Sequence, residues 1–310
     1  TYSIPSDAHG AAVAIGNFDG VHLGHQAVID LARTKAKKLN APLGVLTFEP
    51  HPRVFFAEKM DRDLAPFQLM NADARAHRLE KLGVDIVFEL PFDQALCDLA
   101  DAAFSKNILK DALNLRHVVV GTDFRFGKGR LGNATTLAKH GADFGFKVTV
   151  AKQKNLGQQV ISSTNIRNAL SNGNPGKAAA MLGHWHRIEG LVKHGEKRGR
   201  ELGYPTANMS IDGLQPPAFG VYAVMVDILT GPHAGSYHGA ASLGVRPMFG
   251  EKYPNLETFL FDFVGDLYGE TLSVGLVEYL RGEETFDGLD ALMSQMDADC
   301  TQARTSLAAL

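Results

Sequence analysis

AAVAIGNFDGVHLGHQAVIDLARTKAKKL, Ala11 to Leu39, passes from an apolar, β-rich run through a glycine-bounded turn into a helical pattern. An unbroken apolar run followed by a returning helix is the mark of a strand buried on both faces in a βαβ unit. The alternation continues through PLGVLTF, DARAHRLEKLG, VDIVFEL, a helical stretch from Asp93 to Leu113, RHVVVG and FKVTVA. These runs predict an α/β module with a doubly wound parallel sheet. Ligands of such sheets bind outside the carboxyl ends of the strands, beside the point where strand order reverses. GNFDGVHLGH, Gly16 to His25, follows the first strand, where that rule places a site.

Near Asn172 the pattern changes. SNGNPG is a cluster of turn formers, and beyond GHWHRIEG the runs RIEGLVKH, FGVYAVMVDIL, YHGAASLGV, NLETFLFDF and TLSVGLVEYL follow without helices between them. Strands joined by Gly/Pro-rich connections predict an antiparallel barrel or sandwich. A last segment places Leu289, Leu292, Met293 and Met296 on one face of a terminal helix. The expected boundary lies near Gly183, giving modules of residues 1–183 and 184–310. The 310 residues suffice for two cores.

A net charge of −3 gives no footing for nucleic acid, and Cys97 and Cys300 form no CxxC pair, so neither structural zinc nor a disulfide framework is expected. No apolar run approaches the ~18 residues of a membrane helix. The expected home is a reducing cytoplasm, with no membrane partner.

A turn entering a helix presents unpaired N–H groups and the positive end of the helix dipole, which is an anion site. Gly16, Gly20 and Gly24 let the backbone turn, while His22 and His25, three apart, point the same way. Two imidazoles there suit displacement at phosphorus. A phosphate nucleophile is already ionised, so positioning and electrostatics are enough. Two plain surface histidines are the competing explanation; a zinc pair would need a third ligand. ISSTNIRNAL, Ile161 to Leu170, opens with N-capping hydroxyls and carries Arg167 one turn in, which fits either an ordinary capped helix or a phosphate clamp.

HGEKRGRELGYPTANM, His194 to Met209, interleaves Gly195, Gly199 and Gly203 with Lys197, Arg198 and Arg200, a basic flexible loop able to wrap polyphosphate or simply a solvated turn. Thr206 and Asn208, two apart on a strand, point to one face with oxygen ligands suited to Mg²⁺. Glu257 in NLETFLFDF shares a face with Phe259 and Phe261, as a salt-bridged residue or a general base.

GNFDGVHLGH, TFEPHPR, VVVGTDFRFGKGRLG and ISSTNIR, in this order, resemble the N-terminal module of the bacterial bifunctional riboflavin kinase/FMN adenylyltransferase family. GHWHRIEGLV, HGEKRGRELGYPTANM, ASLGVRPMFG, LETFLFDFVGDLYGE and LRGEETF resemble its kinase module. The resemblance implies a nucleotidyltransferase-type parallel sheet and a six-stranded barrel with a terminal helix. It implies phosphorylation of riboflavin to FMN, then transfer of AMP from ATP to FMN to give FAD and pyrophosphate, both with Mg²⁺. His22 and His25 match the family's phosphate-binding histidines; Gly16, Asn17, Phe18 and Asp19 match its turn; Ser163, Thr164 and Arg167 match its second phosphate motif. Asp123, Phe124 and Phe126 match its flavin loop, where packing is the other role for the two rings. Gly195, Lys197, Arg198, Gly199 and Gly203 match the kinase ATP loop, Thr206 and Asn208 its metal and phosphate contacts, and Glu257 its base. Glu196, Met248 and Thr285 stand where the family commonly has Asp, Thr and Lys, which touches affinity and loop closure. Two other expectations compete: a nucleotidyltransferase for a different phosphorylated acceptor, and a flavin-binding regulator without turnover. The chain is expected to be a monomer or a weak homo-oligomer.

Overall fold

The computed structural model describes residues 5, 8–157, 159–194, 203–248 and 251–310, with side chains omitted at 246–248 and 251–253. Gly195, Glu196, Lys197, Arg198, Gly199 and Arg200, and the side chain of Met248, lie outside the described residues. Packing divides the chain into two compact units, Thr1–Leu64 with Ala76–Ile161, and Ala65–Arg75 with Ser162–Leu310.

In the first unit, β1 (Ala12–Ile15), β2 (Leu43–Glu49), β3 (Ile86–Pro91), β4 (His117–Gly121) and β5 (Lys147–Ala151) form a parallel sheet in the order β3-β2-β1-β4-β5. Every residue of β1 is buried, as expected for a central strand covered on both faces. Helix α1 (Leu23–Leu39) carries the chain from β1 to β2. The chain then moves outward to β3 and returns to β4 on the other side of β1, so strand order reverses between β1 and β4. The GNFDGVHLGH turn and the Gly121–Gly132 loop leave the carboxyl ends of these two strands and flank the reversal.

The helical stretch expected from Asp93 to Leu113 is broken. Gln94–Asp98 is capped by Asp93 Oδ1 on the Leu96 N–H at 2.8 Å, and the chain resumes as Asp101–Ala103 and the π-wound Phe104–Ala112. The break falls at Leu99, whose carbonyl accepts the N–H of Lys128 at 2.7 Å instead of an intrahelical donor.

The second unit holds α2 (Ser163–Ser171), α3 (Pro175–Leu182) and six antiparallel strands: β6 (His186–Leu191), β7 (Thr206–Ser210), β8 (Gly220–Ile228), β9 (Gly235–Met248), β10 (Glu251–Leu260) and β11 (Thr271–Arg281). Their order is β6-β11-β8-β9-β10-β7, and an antiparallel bridge between Lys193 and Asn208 joins the two edges into a barrel. Ile188, Met209, Val224, Leu243, Leu256 and Leu276 fill its interior. Residues 65–75 belong here because Gln68 bridges to Leu214 and Asn71 Nδ2 donates to the Glu189 carbonyl at 3.0 Å.

Helix α4 (Leu289–Ala308) covers part of the outside of the barrel, with Ala303 and Leu307 packed in one cluster with Ala223, Ala240, Phe261 and Val277. The expected apolar face is corrected at its start: Leu289 is 54% exposed, and the buried stripe is Asp299, Ala303 and Leu307. A carboxylate can occupy that stripe because Arg281 meets Asp299 as a fork, at 2.9 and 2.7 Å.

Candidate active sites

The turn after β1 is built from unusual backbone. Phe18, Gly20 and Val21 have φ of +52°, +83° and +40°, and the Val21 N–H closes the turn on the Phe18 carbonyl at 3.0 Å. Left-handed backbone suits glycine but costs an L-residue about 1–3 kcal/mol. Phe18 and Val21 hold it because both side chains are fully buried. Gly16 extends β1 by donating to the Leu46 carbonyl at 3.1 Å, and Thr47 Oγ1 donates to the Asn17 carbonyl at 3.3 Å. Asp19 is 7% exposed.

His22 is the N-cap of α1, and its Nδ1 accepts the His25 N–H at 3.2 Å. An Nδ1 occupied as an acceptor leaves the neutral ring its proton on Nε2, fixing the tautomer. The two imidazoles stack with centroids 3.7 Å apart and planes 12° from parallel, and Phe18 packs on His25 at 5.1 Å. Burial, and secondarily the neighbouring His22, hold the His25 pKa well below its ordinary value. His25 is therefore uncharged at neutral pH and can act as an N–H donor. No carboxylate stands in the first turn of α1 to compete for an anion. Gly24 leaves room for the His22 ring, since a Cβ there would lie 3.0 Å from it.

After β4, Asp123 is exposed at the loop, Phe124 is half-buried and Phe126 is 7% exposed. The Phe124 and Phe126 rings stack at 5.4 Å, and Phe126 also packs on Phe104 at 5.6 Å and edge-on to His140 at 6.4 Å. Phe126 is thus a core residue, and the half-buried Phe124 stacks on it.

In the second unit, Ser162 caps α2 through the Asn165 N–H at 3.2 Å, which sets Ser163 and Thr164 in the first turn. Arg167 donates to Thr164 Oγ1 at 3.2 Å and to the Phe67 carbonyl at 3.3 Å, with its guanidinium 5.9 Å from the Phe67 ring centre. These contacts aim its fork.

Barrel register assembles the other constellation. Asn208 lies directly opposite Glu257, Glu257 opposite Ser242, and Thr206 opposite Phe259. Directly opposed residues share a face, so Thr206, Asn208, Glu257 and Ser242 line one outer patch while Met209, Leu256 and Leu260 point inward. Asn208 Oδ1 accepts Asn255 Nδ2 at 2.9 Å, and its own Nδ2 donates to the Thr206 carbonyl at 3.3 Å. These bonds assign the amide orientation, with the oxygen on Asn255 and the nitrogen toward Thr206. A cavity of about 330 Å³ opens beside Thr206, lined also by Val192, Pro205, Phe263, Asp266 and Tyr268. Gly203, with φ of +85°, leads into this strand.

A family model for FAD synthetase matches residues 4–165, and one for riboflavin kinase matches residues 182–307. The chain belongs to the bifunctional riboflavin kinase/FMN adenylyltransferase family. It is 41% identical over 304 residues to the family enzyme of Pseudomonas fluorescens, covering 98% of this chain and 95% of that one. The Haemophilus influenzae enzyme is 39% identical over 95% of this chain and 94% of its own length, and the Bacillus subtilis enzyme 34% over 94% and 91%. A solved structure described as a macrolide-efflux protein from Streptococcus pneumoniae is 32% identical, with a TM-score of 0.80 over 94% of this chain and 92% of that one. Among the described residues here, no helix is long and apolar enough to cross a membrane.

Sequence reasoning missed His22 as a helix cap, a role in which histidine carries no strong signal, and the left-handed Phe18 and Val21. Thr285, a departure from the family pattern, is exposed in the segment after β11.

Proposed function

We propose that this chain phosphorylates riboflavin in the module of residues 184–310 and adenylylates the resulting FMN in the module of residues 1–183, consuming one ATP at each step. One observation carries the proposal: cross-strand register sets Asn208 directly opposite Glu257, with Thr206 two residues along on the same face. The 5′-hydroxyl of riboflavin is not ionised at neutral pH, so its attack on the γ-phosphorus of ATP needs a base. Glu257 accepts that proton as the new O–P bond forms and ADP leaves.

Mg²⁺ fits this patch, because a hydroxyl, an amide oxygen and a carboxylate are the hard ligands it prefers alongside phosphate oxygens and water. Thr206 and Asn208 would hold it, and it would neutralise charge on the β- and γ-phosphates. Arg198 and Lys197 precede this strand in sequence and are assigned to the same phosphates with Gly195, Gly199 and Gly203.

In the first module the FMN phosphate attacks the α-phosphorus of ATP and pyrophosphate leaves. The nucleophile is ionised already, so no base is required. His22 and His25 donate N–H groups to the α-phosphate, aided by the backbone of Gly16 to Asp19 and the N-terminus of α1. Ser163, Thr164 and Arg167 are assigned to the leaving phosphates, and Phe124 and Asp123 to the flavin. The reactions take place in the cytoplasm, in a monomer or weak homo-oligomer, which light scattering would test.

Riboflavin, ATP and Mg²⁺ incubated with the protein should yield FMN first and FAD after it, resolved by chromatography. FMN without FAD, even when FMN is supplied, would mean a different acceptor in the first module. No change in any flavin would leave a binding protein.

A further inference from the structure

Helix α4 does more than cover the barrel. The Tyr204 hydroxyl donates to Asp297 Oδ1 on α4, and the Tyr204 ring packs edge-on against Phe259 at 5.2 Å. Phe259 is the residue directly opposite Thr206 and in turn meets Phe261 at 5.9 Å. Arg304, two turns further along α4, forks onto Asp262 at 2.8 and 2.9 Å and lies 4.2 Å over the Phe261 ring. One helix therefore grips the chain at two points. Tyr204 is two residues before Thr206, and Asp262 is five after Glu257.

We propose that Tyr204 is a positioning residue for the kinase reaction, latched by Asp297 so that the strand entering at Pro205 holds Thr206 and Asn208 in place opposite Phe259 and Glu257. This rests on the kinase assignment made above. Tyr204 follows Gly203, whose backbone is left-handed, and leads the chain into β7. A bond to α4 at that point fixes the entry to the strand that carries Thr206 and Asn208. The Tyr204 ring meets Phe259 in the row opposite Thr206, so the bond to Asp297 acts through position. The hydroxyl bond also keeps the phenol protonated, with its pKa pushed up to about 12 by the carboxylate first and burial second.

The test uses the full chain and reads both activities in one preparation, the adenylyl transfer serving as internal control. Tyr204→Phe keeps the ring on Phe259 and removes the bond; Asp297→Ala removes it from the other side; Asp297→Asn keeps an oxygen acceptor. Losing a bond to a charged acceptor should raise the kinase KM for ATP by roughly three- to tenfold in the first two variants. Asp297→Asn should restore most of it, and FAD formation from supplied FMN should be unchanged. The double variant Tyr204→Phe/Asp297→Ala should be no worse than either single change, because both delete one interaction. Asp299→Asn, which weakens α4 docking at Arg281 instead, should lower the melting temperature without moving the KM. Unchanged kinase constants in Tyr204→Phe, additive losses in the double variant, or an equal effect of Asp299→Asn on KM would overturn the proposal. Absence of kinase activity in the unmodified chain would instead overturn the assignment beneath it.

Discussion

The two candidate sites are built in opposite ways. The histidine turn rests on exceptional backbone: two buried L-residues in left-handed conformation, a histidine serving as helix cap, and a glycine against which the imidazole lies. The barrel patch rests on ordinary backbone, since strand register alone brings Thr206, Asn208 and Glu257 together. The difference follows from the nucleophile. An ionised phosphate needs donors brought close, which a strained turn before a helix supplies; an alcohol needs a base and metal ligands at fixed spacing, which a sheet supplies.

The contrast can be broken by single substitutions. Glu257→Gln keeps shape but accepts no proton, so riboflavin phosphorylation should fall by about 10²–10⁴ while FAD formation from supplied FMN persists. A steady-state assay of each half-reaction checks it. His25→Ala removes one donor to the α-phosphate and should lower FAD formation by roughly 10–10³ with FMN formation retained. Equal loss of both activities in either variant would mean the sites are not independent. Gly24→Ala puts a Cβ 3.0 Å from the His22 ring, which must give by a few tenths of an ångström and so strains its bond to the His25 N–H. It should lower FAD formation less than His25→Ala does and leave FMN formation unchanged, as read in the two half-reaction assays.

A further prediction concerns acid stability. His186 is lowered to about 3, by burial first and His184 second, and His117 to about 4, by burial first and then Lys35 and Lys147. His25 shifts in the same direction. A histidine with a folded pKa below its unfolded value of about 6.5 takes up its proton sooner in the unfolded chain. Stability is therefore complete above pH 6.5 and is lost as pH falls toward the folded values, by up to about 1.4 kcal/mol per pH unit for each such group. Melting temperature should fall from pH 7 to pH 5, and His186→Gln should flatten that slope. A flat profile in the unmodified chain would contradict the assignment of neutral buried imidazoles.

Much of the fold was legible because its signals are local and period-based. AVAI and HVVV read as doubly covered strands, and the five parallel strands and five of the six antiparallel ones follow the apolar runs, β7 (TANMS) being the strand without such a run. Glu257 and Phe259 share a face, as strand alternation requires. What escaped depends on tertiary partners. Nothing in LDALM announces that Leu289 stays exposed while Asp299 is buried, because that choice is made by Arg281 on a distant strand. Nothing in GNFDGV announces positive φ at Phe18 and Val21, since side-chain identity favours the reverse and only their burial overrides it. Phe126 looks like its neighbour Phe124 in sequence, and only the Phe104 and His140 contacts separate core from candidate contact.

The most direct test of two separable sites is to mix Glu257→Gln and His25→Ala proteins with riboflavin, ATP and Mg²⁺ and follow the flavins by chromatography. Neither variant alone should carry riboflavin to FAD at more than a small fraction of the unmodified rate. The mixture should form FAD, because FMN released by the His25→Ala protein is adenylylated by the Glu257→Gln protein. A mixture that accumulates no FAD, from variants that each fold as the unmodified chain does, would contradict the division of labour between the strained turn and the strand row.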